Sequence, residues 1–592
     1  MTNWLKHFKK GVVLILCLLL SAAVSGCAGS GNSANKLKAQ SFNEYSYTTS
    51  LTMPGESGVS FLNEKTEVSL EIRNVGEYRA KKGSVKFTFK SVYGGKPFKV
   101  TEMFREYNDD KAPSAVIKVP VKTDTFGYWT VDVDITIDGN KMDTISKGYC
   151  VVNTPQAYGK ADKDNFFGVM GVHNNPRGAE RIGAKTDRPS AYWRFMRGED
   201  GKLKWDGLDE VLKYCTDSNL NIVLLIQPEV LLFGASLPGM EIATADDLGR
   251  EDVLAEYDIF LTETLRRYKD IISAIEIVNE PDINLVLHGG LTPERAGQIT
   301  AEIMKRSYSI VKAEAPEMPV VGLAVSEREY FKTDAENKTQ AEYIFEAAGG
   351  APIADIFSIH PYSPKWTISD SKKYATPEEF GLHNWLTEGL AYIKDKGFTK
   401  AWVTEIGYGV ESREPLISNN RKLQAALVAR SLIVTKSFSD IEKGFYFSLC
   451  HGDVSTDEAN MALFGPSIKY GNYFPYMGAA TYAQVAYALN NTKPVATISV
   501  GGDGKFGAYQ FESPGESVVA IWKDRETEEI EITGISDLVA YDMFGNVIAK
   551  GNVKVKIGNS PVYLITKAKN GESLREAVSS LIVMEEAVEE EG

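Results

Sequence analysis

The chain has little of what metal centres and disulfide frameworks require. It contains five cysteines and six histidines among 592 residues. Beyond the N-terminal region only Cys150, Cys215 and Cys450 remain, an odd number with no CxxC or zinc-like spacing. We expect all three to be small buried side chains. The sequence also lacks a GxGxxG stretch after an early strand, and we predict no cofactor and no metal.

Positive charge is in deficit as well. Lysine and arginine number 65 against 79 aspartates and glutamates, which gives a formal charge of −14. An acidic surface repels nucleic acid and anionic lipid, so neither is an expected partner and a neutral substrate fits better. The composition, with 43% hydrophobic and 24% charged residues, is that of a globular protein. The length exceeds what one core can organise and predicts three or more domains.

One long apolar run stands near the N-terminus, where three lysines precede residues 11–20. It is too short for a retained spanning helix, so residues 1–27 are predicted to be an export signal. The stretch Val24-Ser25-Gly26-Cys27 resembles the lipobox of bacterial lipoproteins. The resemblance implies cleavage before Cys27 and lipid attachment to its sulfur, which would anchor the exported protein to the bacterial cell membrane outside the cytoplasm. An ordinary secretory signal with a chance cysteine is the alternative.

Changes of pattern along the chain predict six segments. Short stretches of period-two alternation flank a long region in which strands and amphipathic helices alternate. The segments are a signal peptide (1–27), a flexible tether (28–42), an immunoglobulin-like β-sandwich (43–155), a barrel domain (160–490), a second β-sandwich (495–567) and an acidic tail (568–592). The first sandwich is expected to be a spacer or an accessory binding module. The tail is expected to be solvated or disordered.

The central region contains eight candidate strands, most of them separated by helices, which is the pattern of a (β/α)8 TIM barrel. The predicted strands are 166–172, 182–187, 221–227, 274–280, 319–325, 355–362, 400–408 and 443–449. The predicted fold class is therefore a multidomain chain with a central TIM barrel between two β-sandwiches. An open doubly wound sheet is the alternative.

In a TIM barrel the functional side chains stand at the C-terminal ends of the strands, around one open mouth. The polar and aromatic residues near those ends are His173, Arg188, Trp193, Asn279, Glu280, His360, Tyr362, Trp366, Glu405 and His451. Glu280 and Glu405 end strands four and seven, which lie across the mouth from each other. Paired carboxylates suit glycosidic hydrolysis, in which one protonates the leaving oxygen and the other attacks the anomeric carbon or activates water. Their mutual repulsion separates their pKa values.

These strand ends carry a family resemblance. Asn279-Glu280-Pro281 and Thr404-Glu405-Ile406-Gly407 resemble the signature of glycoside hydrolase clan A. Within the clan, the sequence most resembles families 39 and 5 and related cellulase-like proteins. The resemblance covers roughly residues 160–490. It implies a retaining glycosidase acting on β-linked glycans or oligosaccharides, with Glu280 as acid/base and Glu405 as nucleophile.

The resemblance implies roles for further residues. Asn279 would bind the sugar 2-hydroxyl, Tyr362 would orient Glu405, His360 would line the subsite and Arg188 would support the nucleophile. Clan members usually end strand eight with a tryptophan that forms the floor of the sugar-binding subsite, whereas this chain has FYFSLCHGD. Either Tyr446, Phe447 or His451 replaces it, or the subsite differs. Trp193 and Trp366 are candidates for stacking on a sugar ring, with packing in the core as the alternative. His173 is a further candidate substrate contact.

Two other classes of function are weighed against the enzyme. His173, His360 and His451 with Asp453 would suit a metallohydrolase, but strand one ends in GVHNN and lacks the expected His-x-His pair. A surface lipoprotein that binds glycans without cutting them is the stronger alternative. Loss of activity usually replaces a catalytic carboxylate, and Glu280 and Glu405 are both present. The sequence therefore favours the glycosidase.

Overall fold

The structure is a computed structural model. It describes residues 40–42, 45–74, 82–104, 114–228, 237–326, 338–370, 374–411, 414–451, 458–465, 473–502 and 504–591. The predicted signal peptide, its Cys27 and most of the predicted tether lie outside the described residues. Across the part that is described, no helix combines the length and the apolar character needed to cross a membrane.

The N-terminal domain is a sandwich of two sheets. Its strands are β1 (Gln40–Phe42), β2 (Tyr45–Thr52), β3 (Val59–Phe61), β4 (Glu67–Asn74), β5 (Gly83–Ser91), β6 (Phe98–Phe104), β7 (Ser114–Pro120), β8 (Gly127–Ile137), β9 (Asn140–Lys141) and β10 (Ile145–Val152). One sheet has the order β1-β2-β4-β7, and the other has β3-β10-β8-β5-β6 with β9 beside β8. Alternate residues such as Val131, Val133 and Ile135 are buried between the sheets. Strand β1 lies inside the predicted tether (28–42) but pairs antiparallel with β2. Residues 40–42 therefore belong to the sandwich and not to the tether.

The central domain is a closed parallel barrel. Its strands are β11 (Phe167–Val169), β12 (Thr186–Asp187), β13 (Ser190–Tyr192), β14 (Asn221–Gln227), β15 (Ala274–Asn279), β16 (Val320–Val325), β17 (Ile356–Ile359), β19 (Ala401–Ile406) and β21 (Ile441–Tyr446). Short strands β18 (Thr367–Ile368), β20 (Gly409–Val410), β22 (Phe464–Gly465) and β23 (Phe474–Pro475) lie in the loops. Every residue of β14 is buried, as expected of a strand covered on both faces.

The barrel closes because β11 pairs in parallel with both β12 and β21. Two short strands, β12 and β13, share the second position and both pair with β14. Pro189 stands between them, and proline has no N–H to give to the ladder. The predicted TIM barrel is confirmed, and the doubly wound alternative is wrong because a closed sheet has no edge strands.

Helices cover the barrel and connect its strands. They are α1 (Pro176–Arg181), α2 (Trp193–Met196), α3 (Asp206–Asp217), α4 (Glu251–Tyr268), α5 (Pro293–Glu314), α6 (Gln340–Ala348), α7 (Pro377–Phe380), α8 (Leu382–Asp395), α9 (Asn419–Lys436) and α10 (Met477–Leu489). Single turns of 3₁₀ helix occur at Val172–Asn174, Ala245–Gly249 and Glu458–Met461. Helix α5 shows the local logic: Thr292 caps it by accepting from Arg295 N at 3.2 Å, and Pro293 occupies its first turn.

The C-terminal domain is a second sandwich, as predicted. Its strands are β24 (Lys493–Gly502), β25 (Lys505–Glu512), β26 (Glu516–Lys523), β27 (Glu528–Ile532), β28 (Val539–Tyr541), β29 (Val547–Lys550), β30 (Val553–Ile557) and β31 (Val562–Lys567). A 3₁₀ turn (Ala568–Asn570) leads into helix α11 (Gly571–Glu591). Leu574, Val578 and Ile582 of this helix are buried in the sandwich core. Disorder, one of the two possibilities predicted for the acidic tail, is therefore wrong for this helix, because apolar residues four apart form a packing stripe; acidic residues such as Glu572 lie on a solvated face, which was the other possibility.

A buried ion cluster joins the barrel to the second sandwich. Arg430 of α9 pairs with Glu378 of α7, and donates to Asp524 Oδ1 at 2.8 Å. The side chains of all three are at most 1% exposed. Trp522 Nε1 donates to Glu378 Oε1 at 2.9 Å and Thr376 donates to Asp524 at 3.0 Å. Buried charges need such partners, so the cluster fixes how the two domains meet.

Candidate active site

The two predicted carboxylates meet at the C-terminal end of the barrel. Glu280 directly follows β15, and Glu405 is the next-to-last residue of β19. A carboxylate oxygen of Glu280, a ring nitrogen of His360 and a carboxylate oxygen of Glu405 all lie within 4.8 Å of one another. The side chain of Glu280 is 17% exposed and that of Glu405 is 8% exposed. The arrangement brings together two carboxyls and an imidazole that are separated by up to 125 residues in sequence, from 280 to 405.

The backbone is irregular where the chain leaves strand β15 at Glu280. Val278 and Glu280 have φ of +64° and +42°, a left-handed region that a β-branched residue rarely adopts. The N–H of Glu280 donates to Ala324 O at 2.7 Å on the next strand, which holds this conformation. Pro281 then opens a π-helix (Asp282–His288). The Asn-Glu-Pro sequence therefore turns the chain out of the barrel wall within three residues.

Arg188 is the fixed positive charge of the site. Its guanidinium donates to Glu276 Oε2 at 2.5 Å, to Glu405 Oε1 at 2.7 Å and to Asn279 Oδ1 at 2.9 Å. The residue is 1% exposed. It follows β12 and precedes Pro189, in the break between β12 and β13, and its side chain reaches Glu405 at the seventh strand position. Charge-assisted bonds to two carboxylates orient both of them.

His360 and Tyr362 each contact one of the two predicted catalytic carboxyls. Nδ1 of His360 lies 2.9 Å from Glu280 Oε1, and its Nε2 lies 2.8 Å from Thr404 Oγ1. The hydroxyl of Tyr362 donates to Glu405 Oε2 at 3.0 Å. His360 is 1% exposed, which fixes the ring between strands β17 and β19. The structure thus brings together six of the predicted residues, namely Arg188, Asn279, Glu280, His360, Tyr362 and Glu405.

Three buried polar residues of this site were missed from the sequence. Glu276 lies in the middle of β15, and Ser358 donates to its Oε1 at 2.8 Å while Thr404 donates to the same oxygen at 3.1 Å. All three are 0% exposed. A signal was present, because a glutamate inside the apolar run AIEIV needs a partner if the strand is buried. The partners themselves lie on other strands and have no local signature.

The electrostatic environment differs between the carboxyls. Burial raises the pKa of Glu280 to about 7, against a smaller opposing effect of Arg188. Burial also raises the pKa of Glu405, and the nearby Glu280 carboxyl acts in the same direction; Arg188 and the Tyr362 hydroxyl offset only part of that rise. Burial acts against the charge of Glu276 too, and there the Arg188 guanidinium prevails and leaves the pKa lowered.

Burial lowers the pKa of His360, so its imidazole is neutral near pH 7. A neutral imidazole has one N–H and one lone pair, and it can therefore donate on one side and accept on the other. The site then holds the Arg188 charge beside the ionised Glu276, and both Glu280 and Glu405 have raised pKa values, that of Glu280 being about 7.

The remaining predicted contacts divide into one correction and three open predictions. Trp193 is 1% exposed and stacks on Phe260 of α4 at 6.0 Å between ring centroids, so its predicted contact with a sugar ring is wrong. Trp366 is partly buried against the small cluster of Ile368, Tyr408, Val410 and Leu427. Its role as a substrate contact stays a prediction.

His173 and His451 also stay predictions. His173 Nδ1 lies 2.8 Å from the buried Asp187, and Nε2 lies 3.2 Å from Asn174 Nδ2. His451 packs against Phe447, with 6.2 Å between ring centroids.

Two of the predicted substitutes for the strand-eight tryptophan can now be separated. Tyr446 is fully buried, and its hydroxyl donates to Tyr408 O at 3.0 Å, so it cannot floor a subsite. Phe447 is half-buried at the end of β21. The aromatic surface at this strand end therefore comes from Phe447 with His451 beside it.

Donor atoms for a metal ion exist at this site, in the trio of Glu280, His360 and Glu405. Their atoms already serve other bonds, since His360 Nδ1 contacts Glu280 and Glu405 accepts from Arg188. A cation would also be repelled by the fixed positive charge of Arg188.

The three cysteines of the described residues, Cys150, Cys215 and Cys450, are buried free thiols, as expected from the sequence.

Known proteins resemble this chain in fold. No family model matches it, and no curated protein matches it by sequence. A family 39 glycoside hydrolase from the gut symbiont Bacteroides cellulosilyticus WH2 matches with a TM-score of 0.61 and 16% identity, over 87% of this chain and 100% of that chain.

Two further solved structures match more weakly. The family 30 subfamily 8 xylanase Xyn30A from Clostridium acetobutylicum matches with a TM-score of 0.42 and 11% identity, over 68% of this chain and 96% of that one. Bacteroides uniformis beta-glucuronidase 2 matches with a TM-score of 0.38 and 13% identity, over 88% of this chain and 57% of that one. TM-scores below 0.5 are too low to argue from. The chain is therefore similar in fold to a family 39 glycoside hydrolase, as the resemblance to clan A predicted.

Proposed function

We propose that this protein is a retaining glycoside hydrolase that acts on β-linked glycans or oligosaccharides. The observation that carries the proposal is the pair of carboxyls at the ends of strands four and seven. An oxygen of Glu280 lies within 4.8 Å of an oxygen of Glu405, and the two carboxyls have different partners, His360 and Arg188. Retaining glycosidases hold their two carboxyl groups about 5–5.5 Å apart, whereas inverting enzymes need a wider gap for water.

The environments assign the roles. Glu405 accepts from Arg188 and Tyr362, which stabilise its charge and point its oxygens, so it is the nucleophile. Glu280 has a pKa raised to about 7 and holds a proton near neutrality, so it is the general acid. The bond from Arg188 to Asn279 Oδ1 fixes which way the amide faces, so that it can bind the sugar 2-hydroxyl.

The reaction then takes two steps. A Glu405 oxygen bonds to the anomeric carbon while the bond from that carbon to the leaving oxygen breaks. The leaving oxygen takes the proton of Glu280. The leaving group departs as an alcohol, and Glu280 is left as a carboxylate. Glu280 next takes a proton from water, whose oxygen replaces Glu405 at the anomeric carbon. Both carboxyls return to their first state, and the sugar leaves with its original configuration.

A further part of the proposal concerns location. The lysines, the apolar run and the Cys27 motif support an exported lipoprotein held on the outer face of the cell membrane. Cells grown with an alkyne-tagged fatty acid should incorporate the tag into the wild-type protein and not into Cys27→Ala. Equal labelling of both proteins would overturn the anchor.

Activity is tested with residues 28–592, which omit the export signal and the predicted lipidated Cys27, on a panel of 4-nitrophenyl β-glycosides and β-linked oligosaccharides. We expect release of nitrophenol or shorter sugars by the wild type and none by Glu405→Ala. The competing function, a non-catalytic glycan binder, predicts that both proteins bind an oligosaccharide and neither turns it over. That second outcome would overturn the enzyme.

A further inference from the structure

We propose that Thr404 is a positioning residue whose hydroxyl, held by the buried carboxylate of Glu276, fixes the tautomer of His360 that keeps the proton on Glu280. This inference rests on the proposed function, because it concerns the group that acts as the acid. Thr404 lies one residue before the nucleophile, and its hydroxyl contacts Glu276 and His360. It contacts neither the sugar nor the reacting atoms in this account.

The contacts form a chain from a fixed charge to the acid. Oγ1 of Thr404 lies 3.1 Å from Glu276 Oε1, 2.5 Å from Ser358 Oγ and 2.8 Å from His360 Nε2. Nδ1 of His360 continues the chain to Glu280 Oε1 at 2.9 Å. Glu276, Ser358 and Thr404 are fully buried, so bulk water does not compete for these bonds.

The hydrogen atoms in this chain can be assigned from what each group is able to do. Glu276 is ionised beside Arg188 and therefore only accepts. A hydroxyl has one hydrogen, and bonds to a charged acceptor are roughly twice as strong as neutral ones. The hydrogen of Thr404 thus points to Glu276, directly or through Ser358. Its oxygen is left to accept from His360, which places the imidazole hydrogen on Nε2.

That tautomer presents the lone pair of Nδ1 to Glu280. A protonated Glu280 donates to it, whereas an ionised Glu280 would face one lone pair with another. The arrangement favours the protonated acid before the first step. After the proton has left, the same repulsion favours its recovery from water in the second step. Thr404 and Glu276 therefore serve Glu280 in both of its roles.

Other charged or titratable groups face this pair. Arg188, from the second strand position, favours ionised Glu280, and Glu405 lies 4.0 Å from His360 Nδ1. The charge of Asp282, on the π-helix, favours a protonated His360, and the hydroxyl of Tyr362 is committed to Glu405. These groups set the background against which the tautomer acts, and none of them contacts Nε2 in the bonds described above. Replacing Thr404 leaves all of them in place.

The test uses Thr404→Val, which keeps the shape and removes the hydroxyl, with Thr404→Ser as the matched control that keeps it. Without the hydroxyl, nothing holds the hydrogen on Nε2, and His360 takes the Nδ1–H form that donates to ionised Glu280. We expect the basic limb of kcat/KM on a β-linked oligosaccharide, whose alcohol leaving group needs the Glu280 proton, to move down by about one pH unit, since a bond to the charged form favours it. Thr404→Ser should keep the wild-type limb. A loss of kcat in Thr404→Val with the limb unmoved would overturn the proposal.

A readout without turnover separates this inference from the proposed function. In protein labelled with ¹⁵N-histidine, the imidazole shifts of His360, assigned by comparison with His360→Gln, should show Nε2–H in the wild type and Nδ1–H in Thr404→Val. An Nδ1–H signal in the wild type overturns the inference even if Thr404→Val does not fold. Nε2–H in a wild type that hydrolyses no glycoside supports the tautomer and overturns the glycosidase alone.

Discussion

Nη1 of Arg188 donates to Oε1 of Glu405 at 2.7 Å, and this bond crosses the barrel from the second strand position to the seventh. The other catalytic carboxyl, Glu280, has the neutral imidazole of His360 as its near partner at 2.9 Å. A direct charge partner favours an ionised nucleophile, and a neutral partner in a buried place favours a protonated acid. The two glutamates thus differ through what surrounds them.

The role of Glu280 predicts a dependence on the leaving group. Glu280→Gln should slow hydrolysis of β-linked oligosaccharides by about 10²–10⁴-fold, because their alcohol leaving groups need a proton. Release of 2,4-dinitrophenol in the first step should be affected far less, since that leaving group departs unprotonated. Burst kinetics with both substrate types measure the first step. Glu405→Gln is the control and should lose activity on both; equal modest losses from the two variants would contradict the assignment.

The same residue predicts a cost in stability. Glu280 has a pKa of about 7 in the folded protein against 4.5 for a free side chain. A raised carboxyl pKa means that the folded state binds the proton more tightly, so stability falls as pH rises from about 4.5 to about 7 and then levels off. At 1.36 kcal/mol per unit, the loss is about 3 kcal/mol.

Glu280→Gln removes that loss. Urea unfolding should therefore show the variant to be more stable than the wild type at pH 8 and close to it at pH 4. A variant that is less stable than the wild type at pH 8 would show that Glu280 is not held in the way described.

The buried cluster at Arg430 predicts how the barrel and the second sandwich stay together. Arg430→Met leaves Glu378 and Asp524 buried without their counter-charge, which costs about 3–5 kcal/mol. Arg525→Met is the matched control, because Arg525 also joins the sandwich to α7, through Glu379 at 2.7 Å, but its side chain is 46% exposed. That exposed pair should contribute less than about 1 kcal/mol. Thermal unfolding compares them, and similar losses would contradict the account.

Helix α11 predicts a second contrast within one element. Leu574 is 0% exposed in the sandwich core, whereas Val583 is 63% exposed on the same helix. Leu574→Ala should cost about 2–5 kcal/mol through the cavity it creates. Val583→Ala should change stability by less than about 0.5 kcal/mol. If both changes are neutral, the helix does not cover the sandwich in solution.

Apolar strands and their polar ends made the barrel and its two carboxyls predictable from sequence. Strand 221–227 is predicted to the residue, and Glu280 and Glu405 stand where a barrel displays its functional groups. Glu276 and Thr404 were missed because their roles come from contacts between strands that are far apart in sequence.

The errors have equally local causes. Trp193 was placed at the mouth by its position after strand two, but helix α4 packs over it. The final helix was hidden by its acidic residues, although Leu574 and Val578 show the helical spacing of a packed face.

The configuration of the first sugar released tests the central claim most directly. The wild-type protein is mixed with the 4-nitrophenyl β-glycoside that it hydrolyses fastest, and the anomeric proton is followed by ¹H NMR before mutarotation. A covalent intermediate on Glu405, opened by water with Glu280 as the base, predicts that the β-anomer appears first. Initial appearance of the α-anomer would mean a single displacement by water and would contradict the roles given to both glutamates.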